Sequence, residues 1–222
     1  MEDARRTFIP AAGADWRLPL YDPLVRLLGA DAAKRSLLVQ AALRPGQAVL
    51  DVGCGTGSLA TLVKSLNPGV QVTGIDPDPK ALERAMRKAA RAGVSIRLDR
   101  GFADALPYPD VSFDRVLSSF VFHHIAPSER VRMLSEARRV LKPGGSLHLL
   151  DFAGAETGTD GAVARWLSSR PLLADNSEGR VVALMREAGL EDAGRVSRGR
   201  LVLGLFAYSC FRAVAPAERR AA

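Results

Sequence analysis

From Gln47 to Phe152 short apolar runs alternate with longer segments in which apolar residues recur every three or four positions. The runs QAVLDV, VQVTGID, VSIRLDR, FDRVLSSF and GGSLHLLDF predict five strands. Several are apolar at consecutive positions, as strands covered on both faces are. Between them the 3.6-residue period predicts helices over Ser58–Leu66, Pro79–Ala92 and Pro127–Leu141, the last stopped by LKPGG. In the second of these, Leu82, Ala85, Met86 and Ala89 fall on one face, which predicts an apolar stripe with the arginines turned to water.

Strands that alternate with helices define an α/β domain with a largely parallel sheet. The alternation dissolves over GAETGTDGAVARWLSSRPLLAD, where residues 154–175 are read either as a mobile cover over a site or as a long connection. SEGRVVALMREAGL predicts one more helix, and EDAGRVSRG with LVLGLFAYSCFRA predicts a closing antiparallel pair. Ahead of the first strand, YDPLVRLLG and AAKRSLLVQAALRPG read as two helices. A single domain over 1–222 follows, with an N-terminal helical cap (1–45), a ligand-binding core (46–153), and a substrate-side segment with closing strands (154–222).

Composition narrows the class. With 222 residues and 47% hydrophobic content the chain can bury a sizeable core, and no run is apolar for the eighteen or so residues a spanning helix needs. The two cysteines, Cys54 and Cys210, make neither a disulfide framework nor a metal pattern, and the N-terminus lacks a secretory signal, so a cytoplasmic location is expected. A formal charge of +7 raises the question of polyanion binding. Acids interrupt most of the arginine runs, however, which reads as solvated helix faces rather than a nucleic-acid groove, while transient contact with a membrane surface stays compatible.

The candidate chemistry starts at VLDVGCGTGSLA, a strand running into Gly53, Gly55 and Gly57 and then a helix. Such a loop brings backbone N–H groups close to a ligand because glycine has no side chain to hold it away. The spacing puts Ser58 where a dinucleotide fingerprint needs its third glycine, and the Gly-Lys-Ser/Thr ending of a phosphate loop is absent. Acids at successive strand ends carry the reading further. Asp51 would repel a pyrophosphate but attract an ammonium, directly or through water. Asp76, in GIDPDP, is placed to accept hydrogen bonds from ribose hydroxyls. Asp104, in FADALPYPD, is placed to accept one from an exocyclic amine such as adenine's, with the Ala105 N–H free to donate to a ring nitrogen. An amino-acid group, a ribose and an adenine would then share one site.

Together VLDVGCGTGSLA, GIDPDPKAL, FADALPYPDVSFDRVLSSFVFHH and RVLKPGGSLHLLDF resemble the class I S-adenosylmethionine-dependent methyltransferases. The pattern is most similar to the small-molecule group that includes the ubiquinone and menaquinone biosynthesis enzymes. The resemblance covers roughly Leu43 to Phe152. It implies a Rossmann-like seven-stranded sheet with the last strand antiparallel and helices on both faces. S-adenosylmethionine would be the cofactor and S-adenosylhomocysteine the product. It places Asp51 and the loop Gly53, Cys54, Gly55, Thr56 and Gly57 at the methionine part, Asp76 with Pro77 at the ribose, and Asp104 with Ala105 at the adenine. Ser118 and Ser119 would lie beside the methionine, and Tyr21 would cap the cofactor from the N-terminal helices.

A general base is needed only where the acceptor must lose a proton, and His123 is the first candidate, with His124 beside it near the cofactor. The quinone-pathway enzymes often carry Arg-Asn at this place. His148, inside GGSLHLLDF, reads as a core histidine. Phe120, Phe122, Phe152 and Trp166 are candidates for an apolar acceptor pocket. No Asn/Asp-Pro-Pro-aromatic motif follows strand four, neither cysteine is placed as a pyrimidine nucleophile, and the strand-four end lacks paired carboxylates for a metal. The expected activity is metal-free, in-line methyl transfer to a small, apolar or aromatic molecule. The alternatives are an RNA or protein methyltransferase using the basic surface and a non-catalytic cofactor-binding module. Oligomeric state is not legible.

Overall fold

In the computed structural model, which describes residues 29–154, 176–201 and 206–217, strands and helices alternate as the sequence pattern requires. Helix α1 (Ala30–Ala41) precedes β1 (Ala48–Val52), α2 (Ser58–Leu66), β2 (Gln71–Asp76), α3 (Pro79–Arg91), β3 (Arg97–Arg100) and β4 (Phe113–Ser119). A 3-10 turn (Phe122–His124), α4 (Pro127–Val140), β5 (Leu141–Phe152), α5 (Glu178–Glu187), β6 (Glu191–Leu201) and β7 (Phe206–Val214) follow. The seven strands form one sheet in the order β3-β2-β1-β4-β5-β7-β6. β1 to β5 run parallel, and β7 lies antiparallel to both β5 and β6. This is the Rossmann-like sheet expected, with the antiparallel strand last in the chain but second from the edge.

Both faces are covered, and the two-residue period of each strand divides its side chains between them. Leu50, Val116 and Leu149 join the core beneath α4 and α5, where Met133, Leu134, Val181 and Met185 meet them. Val49, Leu117 and Leu150 point the other way and meet Leu37 of α1 and Leu59 and Val63 of α2. Covering both faces is why these strands read as continuous apolar runs.

Several boundaries differ from the sequence expectation for local reasons. β4 stops at Ser119 because Phe120 turns into the left-handed region at φ 57. β5 starts at Leu141 rather than Gly144: Leu141 pairs with Phe113, and an irregularity follows before Ser146 pairs with Arg115. On α3 the buried stripe is Ala81, Ala85 and Ala89, whereas Met86 is 61% exposed, so the helix is rotated from the expected face toward its small residues.

That rotation follows from a close contact. Gly57 caps α2 at φ 72, and a Cβ there would lie 2.6 Å from the Cβ of Ala85 and 3.1 Å from its Cα. Two helices meet at a point with no room for a Cβ on Gly57. His148 is buried, as expected for a core histidine: its Nε2 meets Ser146 Oγ at 2.9 Å, and Gln40 of α1 reaches its Nδ1 at 3.1 Å and the Phe211 carbonyl of β7 at 2.8 Å. The first of the two expected N-terminal helices and the segment 155–175 lie outside the described residues.

Gly57→Ala is expected to destabilise the protein by about 1–3 kcal/mol, the combined effect of a left-handed backbone and an overpacked contact. Urea unfolding that shows no change would mean α3 can move away from α2 freely.

Candidate active site

The carboxyl ends of β1, β2 and β4 converge on one edge of the sheet, and the glycine loop after β1 is fastened there by backbone groups. Gly53 N–H and Cys54 N–H both donate to the Ile75 carbonyl, at 2.9 and 3.0 Å, and Gly55 N–H donates to Asp76 Oδ2 at 2.8 Å. The other Asp76 oxygen accepts from Asp78 N–H at 3.0 Å. Gly53 (φ 68) also lets the loop approach the end of β4, since a Cβ there would stand 2.6 Å from both methyls of Val121.

Above the loop lies a cavity of about 320 Å³, in the size range of small-molecule sites. Of the residues singled out in the sequence, it brings together Gly53, Cys54, Gly55 and Thr56, then Asp76, Pro77 and Asp104, and then Ser119, Phe120 and His124. Asp104 sits on a loop held against α4, where Arg139 donates to the carbonyls of Leu106 and Tyr108 and Leu106 N–H donates to Glu136. Its carboxylate accepts from Arg132 at 3.2 Å.

Others stand apart from the cavity. Ser118 is fully buried and donates to the Val52 carbonyl at 3.1 Å, because strand alternation sends it away from the side Ser119 faces. Ala105 is exposed and its N–H is already given to the Phe102 carbonyl at 3.3 Å, so the expected free donor is not free; Ala103 lines the cavity instead. Gly57 serves helix packing. Phe122 is core, with the Arg130 guanidinium 4.9 Å over its ring. Phe152 packs on Phe120 and His123. Tyr21 and Trp166 lie outside the described residues. Sequence reasoning missed Lys34, which lines the cavity from α1. The signal was present, since this lysine occupies a helix position on the same buried face as Ala30, Ala33 and Leu37.

The two histidines differ sharply although adjacent. His123 is buried off the cavity; its Nδ1 lies 2.6 Å from Asp151 Oδ1 and its backbone N–H donates to Asp151 Oδ2 at 3.1 Å. Asp151 Oδ1 also accepts from Phe152 N–H. His124 faces the cavity with Nδ1 buried and unpaired among the described residues. Burial, with His123 only 4.0 Å away ring to ring, lowers its pKa to about 4, so it is neutral at physiological pH.

Asp51, by strand alternation, points to the face covered by α1 and α2, behind the loop rather than into the cavity. One oxygen accepts from Ala60 N–H at 3.1 Å and the other has no partner among the described residues. Burial pushes its pKa up to about 7, opposed by the charge of Lys34 and the Ala60 N–H and reinforced by Asp76. Burial likewise raises Asp76, against the two N–H groups it accepts from, and raises the Cys54 thiol, which stays protonated.

Fold and cavity together define a class I methyltransferase domain, and comparison with known proteins agrees. Residues 49–145 match a family described as a methyltransferase domain. A demethylmenaquinone methyltransferase from Thermus thermophilus is 41% identical over 69% of this chain and 70% of its own length. One of the same name from Deinococcus radiodurans is 41% identical over 66% of this chain, but the match spans only 61% of that protein. The crystal structure of an S-adenosylmethionine-dependent methyltransferase from Aquifex aeolicus superposes with a TM-score of 0.64, covering 86% of this chain and 92% of the other at 23% identity, a likeness of fold. The chain belongs to the S-adenosylmethionine-dependent methyltransferase family, whose cofactor fits the residues present. A Cβ at Gly55 would enter open space, leaving room for a ligand against the loop, Asp76 faces the cavity, and a buried acid lies behind the loop.

The raised pKa of Asp51 has a definite sign. The folded state holds a proton that the unfolded chain releases near its ordinary value of 3.8, so the contribution of Asp51 to stability is greatest below that value and falls as pH rises toward about 7. Asp51→Asn is expected to remove this part of the slope in the ligand-free protein. Urea unfolding across that interval, with an unchanged slope in the variant, would show that Asp51 ionises normally.

Proposed function

We propose that this protein transfers a methyl group from S-adenosylmethionine to a small, apolar or aromatic acceptor by in-line displacement, without metal. The observation that carries the reading is the cavity itself, where Gly53 and Gly55, Asp76 and Asp104 from three successive strand ends meet at one edge of the sheet. Bound, the cofactor supplies a methyl already activated by its positive sulfur. The chain's task is then chiefly to hold the acceptor in line, and such positioning supplies on the order of 7–11 kcal/mol in well-ordered cases.

In this reading Asp76 has two duties. It fastens the glycine loop and keeps lone pairs for the ribose hydroxyls. Asp104, steadied by Arg132, receives the adenine amine. Asp51 favours the ammonium of the amino-acid end. The acceptor side lies toward Phe120 and Phe152, whose ring centroids are 4.9 Å apart. His123 stands there too, its ring edge-on to Phe152 with an interplanar angle of 70° and centroids 5.2 Å apart. Asp151 fixes the tautomer of His123 by accepting a hydrogen bond from Nδ1–H, which leaves Nε2 as the basic nitrogen. This pair is the proposed base for an acceptor that loses a proton on methylation, such as a hydroxylated ring or enol. His124, facing the cavity and neutral, orients ligand rather than taking a proton. The names of the relatives support a quinone-type acceptor, and the aromatic pair supports any flat, apolar ring.

Calorimetry with S-adenosylhomocysteine should show binding, weakened by about 1.5–3 kcal/mol in Asp76→Ala, as for hydrogen bonds to a charged group; unchanged affinity would remove Asp76 from the ribose. With labelled cofactor and a panel of quinols and hydroxylated aromatics, mass spectrometry should find a methylated product. His123→Ala and Asp151→Asn are expected to lower kcat by about 10²-fold or more at nearly unchanged cofactor affinity. A kcat equal to wild type in His123→Ala would exclude it as the base.

A further inference from the structure

Among the basic side chains of α3, Lys80, Arg84, Arg87 and Arg91 follow one another every three or four residues along its outer side. Lys88 leaves that row. It is half-buried at the margin of the alanine stripe, one turn beyond Ala85. Its Nζ donates to Thr56 Oγ1 at 3.0 Å and to Ser58 Oγ, side chains of the glycine loop and of the first turn of α2. Both of those residues line the cavity, and Thr56 is 3% exposed.

Electrostatics of the helix does not account for an ammonium at this place. The N-terminus of α2 is the positive end of a helix dipole and repels a cation. Gly57 gives α2 no side-chain cap, and the hydroxyls on either side of it accept from Lys88. An ammonium has three donors and no acceptor, so a hydroxyl that accepts from it must turn its own proton elsewhere. The contact therefore sets both the place and the polarity of two groups in the cavity wall. Gly57, between them, is pressed against Ala85 of the same helix. Residues 53–55 of the loop are thus tied to β2, and residues 56–58 to α3. Removing the ammonium leaves every tie to β2 in place.

We infer that Lys88 is a positioning residue for the cofactor: from outside the described cavity wall, it holds Thr56 and Ser58 in place before the ligand arrives. A wall held in advance spares the ordering that binding must otherwise impose. The inference rests on the cofactor assignment above, and it adds to the site a side chain 30 residues beyond Ser58 that belongs to none of the motifs.

The test reads binding and local order rather than turnover. S-adenosylhomocysteine is titrated by calorimetry into wild type, Lys88→Met, Thr56→Val and the double variant; methionine keeps the aliphatic stem and drops the ammonium. Lys88→Met should weaken binding roughly 10-fold, in the range for one hydrogen bond to a charged group. The double variant should bind within about twofold of the weaker single variant, because both changes break one contact. In ligand-free Lys88→Met, amide hydrogen exchange should quicken across residues 57–60 while the amides of Gly53, Cys54 and Gly55 keep their wild-type protection. Affinity in Lys88→Met within about twofold of wild type would overturn the inference. Losses that add in the double variant would overturn it too, as would exchange that quickens throughout the chain, which makes Lys88 a general support of the fold. Lys88→Gln, polar but uncharged, is held to the same criteria should Lys88→Met fail to fold. Failure of the wild-type protein to bind S-adenosylhomocysteine is a separate result, and it would remove the cofactor assignment and with it this role of Lys88.

Discussion

The site depends on how the glycine loop is fastened to the end of β2. Three consecutive N–H groups, of Gly53, Cys54 and Gly55, are spent on the Ile75 carbonyl and the Asp76 carboxylate. A loop so close to a neighbouring strand can form only where side chains are missing, which is why Gly53 faces Val121 without a Cβ between them. The same fastening sets where Asp76 points. Its oxygens are held by main-chain donors on both sides, so the carboxylate is oriented before any ligand arrives, at the cost of burying a charge.

Much of this was legible in the sequence, for identifiable reasons. The order of strands and helices, and the limits of the three helices between β1 and β5 to within one residue, followed from periodicity and from punctuation such as Pro79 and LKPGG. The glycine loop, Asp76 and Asp104 were found because strand-end acids in a parallel sheet gather at one edge. What periodicity could not supply was direction at single residues. Ser118 and Ser119 look equivalent as letters, yet alternation buries one and turns the other to the cavity. Ala105 was placed correctly on its loop, but a turn hydrogen bond to Phe102 had already claimed its N–H. On α3 the small residues outranked the larger Met86, because close approach to Gly57 required an alanine there. Lys34 escaped because it belongs to no motif, and only its helix position marks it.

The histidine pair illustrates how a short irregular element divides functions. The positive φ of Phe120 ends β4 and swings the chain into the 3-10 turn, where two neighbouring imidazoles lie 4.0 Å apart ring to ring yet face different surroundings. One meets the carboxylate at the end of β5, and the other meets the cavity. Burial keeps the second neutral.

The bond from Gln40 to the Phe211 carbonyl spans 171 residues of sequence, and β6 touches the sheet only through β7. The last described strand is therefore the piece on which both α1 and β6 rest. During synthesis the parallel core from β1 to β5 could pair as it emerges, yet its β5 edge would stay unpaired and α1 would lack part of its floor until β7 arrived. Such high contact order slows folding and leaves an exposed edge in the meantime. Maturation of this protein should therefore be sensitive to events late in translation, even though the described residues that line the cavity all fall between Lys34 and Glu129.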